Sequence, residues 1–121
     1  MVMNLHIVQV KTQVQMDELI EQLATSFHQK RQEEWRRNKW RMTFETMGTV
    51  YVESEDDPIY ITLHDLSNEG IGFLSPHELK EYQKILVTIE TDKYTFKVSA
   101  TVKHCTKTVG MFKIGAKFNL L

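Results

Sequence analysis

The feature that most restricts this chain is a change of hydrophobic period near position 42. Beyond it, apolar residues recur at every second position: Ile59, Ile61 and Leu63; Ile85, Val87 and Ile89; Tyr94, Phe96, Val98, Ala100 and Val102; Phe112, Ile114, Ala116, Phe118 and Leu120. Successive side chains of a strand point to opposite faces, so this alternation builds strands with one buried and one wet face, the habit of antiparallel sheets. Turn signals separate the runs at Glu55-Asp56-Asp57-Pro58, Ser75-Pro76, Thr91-Asp92-Lys93 and Thr108-Val109-Gly110. Short strands at such spacing predict a small barrel or sandwich, a mainly β fold. Upstream the period is helical. Met16, Leu19, Ile20, Leu23 and Phe27 share one helix face, with Asp17, Glu18 and Glu21 early and Lys30 and Arg31 late, as the helix dipole favours. This predicts one amphipathic helix over residues 15–35. Residues 1–14 alternate weakly at Val8, Val10, Thr12 and Val14 and read as an arm or an edge strand. With residues 36–121 as the β-barrel, the whole makes one domain, since 121 residues bury a core without disulfides or metal.

Composition limits what such a domain does. A net charge of −1 gives no bulk attraction to nucleic acid or membranes, so any anion binding has to be local. Cys105 is the single cysteine, which excludes an internal disulfide and a cysteine zinc cluster and fits a reducing, cytoplasmic setting. No run of about 18 apolar residues appears, and the start MVMNLHIVQVK lacks the basic lead and long apolar stretch of a signal peptide. A cytoplasmic protein without a membrane span is expected. The histidines His6, His28, His64, His77 and His104 show no H-x-x-x-H spacing, so no metal is expected, and His64 and His104 read as strand residues.

Arginine marks the place to look for a ligand. Every basic residue after position 42 is lysine, whereas all four arginines, Arg31, Arg36, Arg37 and Arg41, fall within eleven positions, alongside both tryptophans, Trp35 and Trp40. A guanidinium pairs two-pronged with phosphate, carboxylate or a guanine edge and stacks on rings, none of which an ammonium does well. The window therefore suits a planar or anionic ligand. Taken by themselves, Arg36 and Lys39 read as solvated charges, and the tryptophans as packing between helix and barrel. A second stretch, HDLSNEGIGFLS at 64–75, carries Asp65, Ser67 and Gly70 as D-x-S-x-x-G, with Gly72 two residues on. Read alone it is a turn, because Asp and Ser bond to nearby backbone and Gly tolerates positive φ. It also offers an acceptor carboxylate, a hydroxyl and a closely approachable backbone. Ser67 lacks a G-x-S-x-G elbow despite His64 and Asp65 nearby, so no catalytic residue and no enzyme are expected.

Taken together, Arg37 and Arg41 as R-x-x-x-R, about 24 residues, then D-x-S-x-x-G at the end of a strand, and a final alternating strand with Gly115 and Phe118 as G-x-x-F, resemble the PilZ domain family over roughly residues 31–121. The resemblance implies a six-stranded antiparallel PilZ-type barrel, here with an extra N-terminal α-helix, that binds cyclic di-GMP without catalysis and without a cofactor. The implied ligand contacts are Arg37, Arg41, Asp65, Ser67 and Gly70, with Arg36 as a further one. The ligand's chemistry asks for such residues. Arginine forks onto guanine O6 and N7 or a phosphate, Asp65 accepts from guanine N1 and N2, Ser67 bonds a phosphate or base edge, and Gly70 leaves room for the ring. Extra arginine at Arg36 also suits a stacked pair of ligand molecules. Control of motility, biofilm formation or virulence is associated with the family.

Three functions are compatible with these residues. The leading one is a cyclic di-GMP receptor whose occupancy changes the helix–barrel junction around residues 31–42 and so acts on a protein partner through the N-terminal helix. The alternative is a PilZ-like module for protein interaction or homo-oligomerisation, with weak or no ligand binding. The third, a barrel for single-stranded nucleic acid, needs a basic groove with stacked aromatics, and the strands carry no such stripe.

Overall fold

The computed structural model describes residues 6–26, 32–34, 39–53, 55–90 and 94–121. In chain order the elements are β1 (His6–Val10), α1 (Gln13–Ser26), β2 (Gln32–Glu34), β3 (Lys39–Val52), β4 (Ile59–Ser67), β5 (Gly70–Ser75), β6 (Lys84–Glu90), β7 (Tyr94–Lys107) and β8 (Phe112–Phe118). Strands β3, β4, β5, β8, β7 and β6 pair in that cyclic order, each antiparallel to its neighbours, so the sheet closes into a six-stranded barrel. The alternating residues point inward as their period requires. Ile61, Leu63, Ile85, Val87, Ile89, Phe96, Val98, Ala100, Val102, Ile114, Ala116 and Phe118 are all buried in one cluster.

Strand β1 adds to this barrel in parallel. It runs along Tyr94–Val98 of β7, on the edge that β8 takes over from Ala100 onward. Within residues 1–14, read as an arm or an edge strand, the described part holds this strand at His6–Val10. Helix α1 follows and lays Met16, Leu19, Ile20 and Leu23, all fully buried, into the barrel's own cluster. At roughly 2 kcal/mol per buried apolar side chain, this packing holds a 14-residue helix that would be marginal alone. Among the described residues, no helix is long and apolar enough to cross a membrane.

The helix differs from its expected span at both ends. It starts at Gln13 because Thr12 and Gln15 form a capping box: Gln15 N donates to Thr12 Oγ1 at 3.2 Å, while Gln15 Oε1 accepts from the amides of Lys11 at 2.7 Å and Thr12 at 3.2 Å. Thr12→Ala is expected to cost about 1 kcal/mol and lower the melting temperature by about 3–5 °C, measurable by thermal circular dichroism. At the other end, Phe27 lies outside the described residues and Gln32–Glu34 is a strand, paired antiparallel with Lys39–Arg41. The expectation of helix to residue 35 is corrected accordingly. The positions that would continue the apolar stripe after Phe27 are Lys30, Arg31 and Glu34, so a longer helix has nothing to bury, whereas a strand gains ladder hydrogen bonds with β3.

Three register shifts interrupt the barrel, and two frame one region. In β4 an extra residue, His64, sits between Leu63, paired with Phe73, and Asp65, paired with Gly72. In β7 the extra residue is Lys103, between Val102 and His104. The third lies in β3 between Thr43 and Thr46. A bulge of one residue inverts the inside–outside alternation beyond it. Thus Leu63 and Leu66 are both buried, leaving Asp65 and Ser67 on the outer face, while beyond Val102 it is Cys105, not His104, that packs against the core.

Candidate ligand site on the outer barrel face

The two arginine and aspartate motifs meet by strand pairing. The backbone of Arg41 is registered opposite Ser67, that of Met42 opposite Leu66 and that of Thr43 opposite Asp65, partners typically about 5 Å apart. Arg36 and Arg37 fall between β2 and β3 in sequence, outside the described residues, as does Trp35.

The turn that follows Ser67 is built by that residue. Its Oγ accepts from the amides of Glu69 at 3.2 Å and Gly70 at 3.1 Å and donates to Gly70 O at 3.3 Å. Gly70 answers to a steric need: a Cβ there would stand 2.5 Å from the carbonyl oxygen of Ala116 on β8. Its missing side chain therefore already answers to the barrel's own packing. The space belongs to the close approach of β5 to β8, and larger residues would push the strands apart. Ser67 and Gly70 shape the turn, and Asp65 is the motif's side chain for which no hydrogen bond is found among the described residues.

Asp65, Ser67 and Gly70 line one outer-face cavity of about 520 Å3. Its floor is a pair of glycines in register, Gly72 on β5 and Gly115 on β8. A Cβ on Gly72 would meet the His64 ring at 3.1 Å, and one on Gly115 would overlap the His104 ring, so each glycine lies beneath an imidazole. The Nε2 atom of His64 is buried without a hydrogen-bond partner among the described residues. Lys103, Lys113 and Lys117 bring cationic charge to the same cavity. At the Lys103 end, its Nζ stands 5.7 Å above the ring of Tyr82, whose backbone has φ 70°. The Tyr82 hydroxyl is held above its ordinary pKa, chiefly by its hydrogen bond to Glu81 and then by that carboxylate's charge. Sequence reasoning places His64 and His104 on strands correctly but misses their part in this cavity. The available signals were the glycines Gly72 and Gly115, whose bare backbone is what each ring covers.

The cavity holds a carboxylate, several cations, imidazole surface and bare backbone. It suits a planar anion with donor edges, and Ser67, engaged with its own turn, is not set up as a nucleophile. Among the described residues, no group of three or more histidines, cysteines and carboxylates is placed to hold a metal. Sequence comparison agrees with the barrel and the motif order: the pattern of the PilZ domain matches residues 29–121. The chain belongs to the PilZ family. Comparison with curated proteins gives no match. PilZ domains are a family of cyclic di-GMP receptors and adaptors, binding modules and not enzymes. In this PilZ barrel, α1 precedes the matched segment and its apolar face is consumed by the core, so that face does not stand open to a partner.

Proposed function

We propose that this PilZ protein is a cyclic di-GMP receptor in which Arg36, Arg37 and Arg41 clasp the ligand against the outer face carrying Asp65 and the Ser67–Gly70 turn. The observation that carries this reading is the β3–β4 register, which brings the strand holding Arg41 directly beside the strand holding Asp65 and Ser67. The arginines neutralise phosphate and fork onto guanine acceptors, and Asp65 takes the complementary N1 and N2 donors. Ser67 and Gly70 contribute by fixing the turn, which keeps Asp65 and the backbone beside it in place. Arg36, Arg37, Lys39 and Arg41 repel one another until an anion arrives, so binding steadies residues 31–42 beyond their strand pairing and alters what a protein partner meets at the helix–barrel junction.

Calorimetry with cyclic di-GMP, set against GTP, cyclic AMP and a short oligonucleotide, is expected to give micromolar or tighter binding of cyclic di-GMP alone, about 8 kcal/mol. Hydrogen exchange is expected to show greater protection of residues 31–42 with ligand than without. A silent titration would favour the second reading, a protein-interaction module. One observation supports that alternative: the identities of Ser67 and Gly70 are already explained by the turn and the β5–β8 approach.

A further inference from the structure

We propose that His104, seated on Gly115 beside the His64–Gly72 pair, is a stacking shelf for one base of the bound cyclic dinucleotide. The inference rests on the receptor reading above and assigns it residues outside both signature motifs. Four neighbouring strands carry the parts in one row: Asp65 on β4, Gly72 on β5, Gly115 on β8 and His104 on β7. The bulge at Lys103 turns His104 outward, where unbroken alternation from Val102 would bury it. The absence of a side chain on Gly115 gives the ring its seat, because any Cβ there overlaps it. His104 is exposed and lines the cavity that Asp65 shares. A ring held this way loses little freedom when a base packs on it, which is what makes an aromatic platform effective. Lys113 and Lys117 lie two residues either side of Gly115 and line the same cavity, supplying charge for the phosphates that a stacked base brings with it. Beside the shelf, His64 Nε2 is buried without a partner among the described residues and faces the same glycine floor.

A purely structural role is a real competitor, since an aromatic ring laid across a strand also shields a glycine in a sheet. The two roles differ in what they move. Titration calorimetry and thermal melts of H104A, H104F and G115A, with D65A as reference, separate them. A shelf predicts that H104A and G115A weaken cyclic di-GMP binding about tenfold, while H104F, which keeps a ring, stays within about threefold of the parent protein. Loss of melting temperature in H104A at unchanged affinity, with D65A weakened, would overturn the proposal and leave the ring as a cover for Gly115. If the parent protein does not bind cyclic di-GMP, the receptor reading fails separately, and the shelf is judged by NMR of the His104 ring with GMP and AMP. Shifted ring resonances with either nucleotide would uphold a purine shelf, and unchanged resonances with both would overturn it.

Discussion

Replacing Arg37 and Arg41 together by alanine is expected to weaken cyclic di-GMP binding by about 4 kcal/mol, roughly a thousandfold, while circular dichroism stays that of the parent protein. Each arginine loses charge-assisted hydrogen bonds at about 2 kcal/mol, and the double change also removes the anion's local countercharge. Both are charged positions outside the alternating apolar set that builds the barrel, so the core is expected to stay intact. Lysine at either position restores the charge but not the planar fork, and the R37K and R41K proteins are expected to fall between parent and alanine variants. Calorimetry at fixed ionic strength measures the series. Parent-like affinity in the doubly substituted protein would place the ligand elsewhere on the molecule.

The second large effect is expected at Leu66. This side chain is fully buried between Asp65 and Ser67, whose own side chains lie on the outer face, so it anchors the segment that presents both. Leu66→Ala removes buried methyl groups and leaves a cavity in a closed barrel that cannot readily collapse, a loss of about 3 kcal/mol. For a domain of this size the melting temperature is expected to drop on the order of 10–15 °C. Ligand affinity is expected to fall as well, because Asp65 and the turn lose their anchor. Leu66→Met, which conserves volume, is expected to cost less than about 1.5 kcal/mol and to bind as the parent does. Thermal melts with and without cyclic di-GMP read both effects.

These contrasts show what the sequence makes legible. Strands β4, β6, β7 and β8 are readable because each buries every second residue over several positions, and the motif order is enough to place the chain in its family. Strand β3 is not readable by alternation: its bulge between Thr43 and Thr46 breaks the period, and Gly48 supplies no apolar side chain at its position. Strand β5 hides because Gly70 and Gly72 look like turn residues, although their lack of a side chain serves the close approach of β8 and of the His64 ring. The site is legible in its residue types but not in its geometry. Extending the alternation of Ile59, Ile61 and Leu63 would send Asp65 and Ser67 into the core, and only the extra residue at His64 sends them out. Bulges leave no reliable mark in composition, so the partnership of His64 and His104 over two glycines emerges only from strand register. The role of α1 is lost for a related reason. An amphipathic stripe says that a helix is covered on one side, and not that the cover is the same chain's own barrel.

The parallel pairing of β1 with β7 has a consequence in time. His6 pairs with Tyr94, about 90 positions later, so at roughly 5–20 residues per second the ribosome exposes the first strand some 5 to 20 seconds before its partner exists. Helix α1 waits with it. Throughout that interval Met16, Leu19, Ile20 and Leu23 form an oily stripe on a nascent chain whose barrel is unfinished, apolar surface of the kind that makes a partly made chain prone to aggregate. The helix that packs into the finished barrel is thus made before any of the six barrel strands and among the last elements to find its place, and a slow codon run before position 94 would lengthen the period in which the chain is most open to aggregation.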